Sequence, residues 1–103
     1  MPTLEEEFHH LMIDTYEIAK ENDYYATYFK QMLDKYQGVE TAKRLLAKPG
    51  IQEGLMHLWE KKLLRHSMEA AVIQSRFRPL FTESEVQEAQ RRLGELDYFK
   101  ESI

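Results

Sequence analysis

Residues 50–72, "GIQEGLMHLWEKKLLRHSMEAAV", contain the spacing His-x-x-Glu twice, as His57 with Glu60 and as His66 with Glu69. Residues three apart share a helix face, so each pair can offer an imidazole and a carboxylate to one point. Those are donors for a transition metal or for acid–base work. Two donors fall short of a metal site, however. Di-iron carboxylate bundles repeat Glu-x-x-His on two helices and add a Glu from each of two others. Here the reverse order, Glu6 with His9 and Glu7 with His10, falls only in one first turn. His9 and His10 stand about 100° apart around a helix, so one ion cannot take both, and one of them is expected at the core edge. Ser67 beside His66 faces a different way and suits an N-cap better than a nucleophile. The sequence has no cysteine and no Gly-rich phosphate loop, which excludes thiolate chemistry and the usual nucleotide cradles. The expected reading is helix-surface ion pairs with no shared ligand, no cofactor and no catalytic residue. A metal-dependent enzyme stands last among the functional readings.

The elements that would position these residues are read from spacing. Thr3 with Glu6 forms a capping box ahead of Leu4, Phe8, Leu11, Met12, Thr15 and Ala19, which predicts a helix from Thr3 to about Asn22. "ENDYYAT" breaks the pattern. Tyr25, Tyr28, Phe29, Met32 and Tyr36 then predict a short second helix ended by Gly38. A third, from Val39 to about Ala47, turns Val39, Ala42, Leu45 and Leu46 inward until "KPG" stops it. Residues 51–60 predict a fourth, with Ile51, Leu55, Leu58 and Trp59 on one face. Ser67 caps a fifth carrying Met68, Ala71 and Val72, before "FRPLF" ends it. The last helix has the clearest start: Thr82 and Glu85 make a capping box, and Phe81 is placed to pack on Val86 ahead of Ala89, Leu93 and Leu96. The expectation is an all-α fold, a compact bundle of five or six short helices in orthogonal or mixed packing, forming one domain over residues 1–103.

Charge is unevenly distributed along the chain. The formal net charge of −4 divides into −6 over residues 1–40, +5 over residues 41–80 and −3 over residues 81–103. Such a contrast suits either pairing between the segments or a basic contact surface. The candidate surface for a nucleic acid or an acidic partner comprises Lys43, Arg44, Lys48, Lys61, Lys62, Arg65, Arg76 and Arg78. The helices on either side of "KPG" have helix-turn-helix length, but Glu53 and Glu60 on the second would face phosphates, which argues against that docking. Tyr24 and Tyr25 form the second candidate surface, for a protein partner, because adjacent residues cannot both turn inward and interfaces favour tyrosine. No apolar run approaches the length of a membrane span, and the acidic start lacks a signal-peptide pattern, so a soluble, cytoplasmic protein is expected.

Residues 24–93 also carry an ordered set of motifs: "YATYF", "GVETAKRLL", "WE", "SMEA" and "PLFTESE". Together these resemble a small bacterial all-helical module with no assigned activity. The chain departs from that pattern at "KKLLRHS", where the module has a Gly-Arg-Leu-Asp-Leu-type turn. The resemblance implies a bacterial, cytoplasmic helical protein and names no catalytic residue. The leading expectation is a non-enzymatic module that binds another protein or a second copy of itself. A nucleic-acid-associated factor is the alternative.

Overall fold

Thr3 accepts a hydrogen bond from the Glu6 amide at 3.1 Å while Glu6 accepts from the Thr3 amide at 3.0 Å, and this reciprocal cap starts helix α1, Leu4–Glu21. The cap also holds the Glu6 carboxyl below its usual range. Its apolar stripe buries Phe8, Met12, Thr15 and Ala19. The computed structural model describes residues 1–100 of the chain, and the architecture is an all-α bundle. After α1 come α2 (Thr27–Leu46), α3 (Glu53–Glu60), α4 (Met68–Val72) and α5 (Glu83–Glu95). Short 3₁₀ turns at Leu64–His66, Ser75–Leu80 and Tyr98–Lys100 join or follow them. The Cα radius of gyration, 12.7 Å, is that of a packed chain of this length.

Helix α1 ends without a glycine, in a left-handed turn at Asp23 (φ 68°). The amides of Asp23 and Tyr24 return to the carbonyls of Lys20 and Ala19 at 3.1 and 2.9 Å, the paired bonds of a Schellman cap. That motif sets Tyr24 against Ala19. Helix α3 closes in the same way, with Lys62 left-handed (φ 62°) and the Leu63 amide donating to Leu58 O at 2.7 Å.

The second and third predicted helices are the two halves of α2, separated by a kink at Gln37, one residue before the expected stop, whose φ of 68° and ψ of 174° lie in a region almost reserved for glycine. Gly38 does not supply the left-handed residue. It is needed for space, since a Cβ there would sit 2.6 Å from the Cα of His9 on α1. Helix α2 also begins at Thr27, so Tyr25 lies ahead of it, and Leu33 is fully buried while Tyr28 is exposed.

The main core gathers Phe8, Met12, Leu33, Ala42, Leu46, Met68, Val72, Phe77, Phe81, Val86 and Ala89. Phe8 meets Phe77 and Phe81 edge-on, both with ring centroids at 5.1 Å, each pair adding about 0.5–1.5 kcal/mol beyond area burial. A smaller cluster joins Leu55, Leu64, Leu93 and Leu96. The staple partners Phe81 and Val86 are both buried, and Thr82 with Glu85 forms the expected reciprocal cap. Trp59 was expected to face inward; it is 42% exposed, because α3 turns Leu55 and Leu58 toward the core and leaves Trp59 at its edge. Helix α3 packs chiefly on the Leu64–His66 turn, while α1 pairs with α2. A cleft opens where α3 stands beside the end of α1 and the start of α2.

Candidate binding cleft

The cleft, of about 460 Å³, is built from four helices and one connection. Helix α1 contributes Thr15, Tyr16 and Ala19, and the connection contributes Tyr24, Tyr25 and Ala26. From α2 come Thr27, Tyr28, Phe29 and, at its far end, Leu45. Glu53, Gly54, Leu55 and Leu58 of α3 close the opposite wall, preceded by Gln52; Met68 and Glu69 of α4 complete the lining. Leu55, Leu58, Ala19, Met68, Glu69 and Thr15 are buried, whereas Tyr25 and Tyr28 are 60% and 59% exposed. The interior is therefore mostly apolar and the mouth is tyrosine. Pockets of roughly 300–1,000 Å³ are typical of sites that enclose a small molecule.

Each rim residue has a local cause for its position. Tyr24, set by the Schellman cap, stacks on the His57 imidazole at 4.1 Å with an interplanar angle of 16°. Its hydroxyl lies over Gly54. Burial and the neighbouring Glu53 push the Tyr24 hydroxyl above its ordinary pKa. His57 Nε2 approaches Glu53 Oε1 at 3.4 Å. Thus His57 pairs backward with Glu53 rather than with Glu60, the partner expected from His-x-x-Glu. Tyr28 receives Lys48, whose Nζ donates to the hydroxyl at 3.4 Å and stands 5.0 Å from the ring centroid. Neither Ala26 nor Gln52 makes a side-chain cap bond, so the first turns of α2 and α3 meet the cleft without a side-chain acceptor of that kind.

The second His-x-x-Glu also needs correction. Glu69 is not a surface residue: it is buried beside Arg92, itself fully enclosed. Arg92 NH1 donates to Glu69 Oε2 at 3.2 Å and its Nε to Glu88 Oε2 at 2.7 Å. NH2 donates to the carbonyls of Lys48 at 2.7 Å, Leu45 at 3.1 Å and Leu46 at 3.4 Å. One guanidinium thus caps the C-terminal end of α2 and ties it to α4 and α5. Burial pushes the Glu69 carboxyl upward despite Arg92. Glu88 is held down at about 2, first by its hydrogen bonds from Arg91, with Arg92 adding to them. Arg92 carried no signal as an isolated residue. Its position three after Ala89 and one before Leu93 places it on the buried stripe of α5, and that placement is the clue spacing contained.

The remaining candidates are dispersed. His9 is half-buried, with Nδ1 enclosed and unpartnered, and His10 is exposed. Ser67 Oγ accepts from the Ala70 amide at 3.1 Å, as a cap. Thr15 Oγ1 donates to His66 O at 2.7 Å and fixes that turn on α1. Among the described residues no group of three or more His, Cys, Asp or Glu comes together in a way that could hold a metal ion.

Of the eight basic candidates, three are engaged in ion pairs among the described residues. Lys43 bridges to Glu85 at 2.8 Å, Arg44 to Glu40 at 2.9 Å and Arg76 to Glu7 at 3.9 Å. Burial works against the Glu85 charge, yet hydrogen bonds from Lys43 and Thr82 keep its pKa lowered. Arg44 also lies 3.9 Å over the Tyr36 ring, and Lys48 is engaged with Tyr28. Lys61, Lys62 and Arg65 are exposed together on the turn after α3, next to Trp59; Arg78 is exposed on the Ser75–Leu80 turn. Tyr24 and Tyr25 are brought to the same cleft, one half-buried and one exposed.

Fold and cleft together define a small all-α domain with a tyrosine-rimmed apolar cleft and a buried arginine staple beneath it. No family model, no curated protein and no solved structure matches the chain. Among the described residues no helix is long and apolar enough to cross a membrane.

Proposed function

We propose that this chain is a non-enzymatic interaction module that binds a segment of a partner protein in the tyrosine-rimmed cleft. The observation that carries the reading is the combination of a largely apolar interior with Tyr25 and Tyr28 held more than half exposed at its mouth. Tyrosine is enriched where proteins meet because it gives a large contact area with few rotamers to freeze. The resemblance drawn from the motifs implies a bacterial, cytoplasmic setting for this reading, with another chain or a second copy of this one as the partner.

The test is photo-crosslinking in cells with benzoylphenylalanine at Tyr28, and with the same group at Gln87 on α5 as the control. A discrete crosslinked protein from position 28 and none from position 87 is the expected result. A crosslink to the same chain identifies a homodimer. Equal products from both positions, or none from position 28, refute the reading.

A second reading rests on Lys61, Lys62 and Arg65, which have no ion-pair partner among the described residues and stand beside exposed Trp59. Bases beside an aromatic suit a phosphate backbone with an unstacked base. Binding to short DNA and RNA across a salt series tests this, because counterion release makes phosphate contacts weaken steeply with salt. No binding at low salt ends it.

A further inference from the structure

We infer that the cleft's occupant is an extended segment of a partner protein anchored by a lysine or arginine side chain, an inference that rests on the interaction reading above. Charge is the first argument. The lining contains two carboxylates, Glu53 at the mouth and Glu69 at the floor, and no lysine or arginine. Glu69 is already paired with Arg92 at 3.2 Å, so the carboxylate that a ligand meets is Glu53, whose side chain is exposed with the His57 ring at 3.4 Å beside it.

The walls also suit a basic side chain. Lysine and arginine lay apolar stems along greasy surface while their charged heads seek carboxylates and ring faces. Leu55 and Leu58 supply that surface and the tyrosines supply the rings. The molecule already seats cations in this way, with Lys48 over Tyr28 at 5.0 Å and Arg44 over Tyr36 at 3.9 Å. The Thr27 and Leu55 amides already donate to the carbonyls of Tyr25 and Gln52, but the first turns of α2 and α3 have no side-chain cap, which leaves lining amides such as those of Tyr28 and Gly54 for the backbone carbonyls of the same segment. A wholly apolar anchor would leave Glu53 without a cation from the ligand, and an acidic one would be repelled by it.

A randomised peptide library is selected on the intact chain, and the affinity of the selected peptides is measured for wild type and for a Tyr25→Ala, Tyr28→Ala double variant. The expected outcome is a motif with a fixed Lys or Arg, lost on the tyrosine variant. Replacing that residue of the peptide with norleucine weakens binding roughly tenfold, as does Glu53→Gln in the protein. Glu53 is exposed and outside the core, so its variant folds even where Glu69→Gln does not. A cleft-dependent motif without a basic position, or equal binding of the norleucine peptide, overturns the cationic anchor and leaves the cleft reading standing. Peptides that bind the tyrosine variant as tightly as wild type, or no cleft-dependent binder at all, overturn both.

Discussion

Arg92→Met is the substitution whose cost the structure determines most directly. The change keeps much of the aliphatic stem and so opens little cavity, but it removes every donor of a fully buried guanidinium. Glu69 is then left enclosed with no cation, which costs about 3–5 kcal/mol when one member of a buried pair is removed. The Lys48 carbonyl belongs to an exposed residue and can turn to water, whereas the bond to Leu46 O is buried; an orphaned acceptor there costs about 1–3 kcal/mol more. The expected loss is about 4 kcal/mol or more, a large share of the roughly 5–15 kcal/mol that holds a small domain folded. Urea unfolding followed by far-ultraviolet circular dichroism measures it as a midpoint lowered by about 2 M. Because most of the cost is an abandoned charge, adding Glu69→Met should recover about 1–3 kcal/mol. An Arg92→Met variant that loses less than about 1 kcal/mol refutes the staple. A double variant as unstable as the sum of its parts refutes the charge argument.

Gly38→Ala should destabilise by about 1–3 kcal/mol, the usual cost of overpacking, because the new methyl meets His9 backbone at 2.6 Å; a thermal melt unchanged from wild type contradicts that close approach. Gln37→Gly should raise stability by about 1 kcal/mol in the same urea assay by relieving a backbone conformation that only glycine adopts freely, and a lowered midpoint would show the kink to be unstrained. The pH dependence has two limbs. Glu88 at about 2 and Glu85 below its ordinary value stabilise the fold above about pH 4.5 and lose that contribution as pH falls through their folded pKa values. Glu69, raised by burial, acts in the opposite sense: its penalty builds as pH rises above the ordinary value of 4.5 and is complete once pH exceeds its folded pKa, so stability should rise on mild acidification before it collapses. Melts from pH 8 to pH 2 should therefore peak on the acidic side of neutral, and in Glu69→Gln the rising limb should vanish; a curve falling steadily from pH 8 rejects the assignment.

Signals confined to one or two turns were legible in the chain. The capping boxes at Thr3 and Thr82, the Ser67 cap and the stripes of α1 and α5 appear where spacing predicted them, because each depends on groups three or four residues apart. The same locality explains the misreadings. His66 and Glu69 were paired by spacing, but Glu69 answers to an arginine 23 residues away. Gly38 was read as a helix stop from its own conformational freedom, while its role is set by α1 passing against it. Tyr24 and Tyr25 were singled out because neighbours cannot both turn inward and interfaces favour tyrosine. The cleft that unites them needs α3 beside α1 and α2, a placement settled by side chains far apart in the chain.

Local hydrogen bonding and the 3.6-residue period thus determined, in the sequence by itself, that the chain is helical and where most helices begin. Tertiary structure alone decided which partners the buried charges meet and which residues face the cleft. Burial is a property of the packed whole: apart from its bond to Glu88 one turn away, Arg92 joins positions 23 to 47 residues apart, and no periodicity of one helix names those partners.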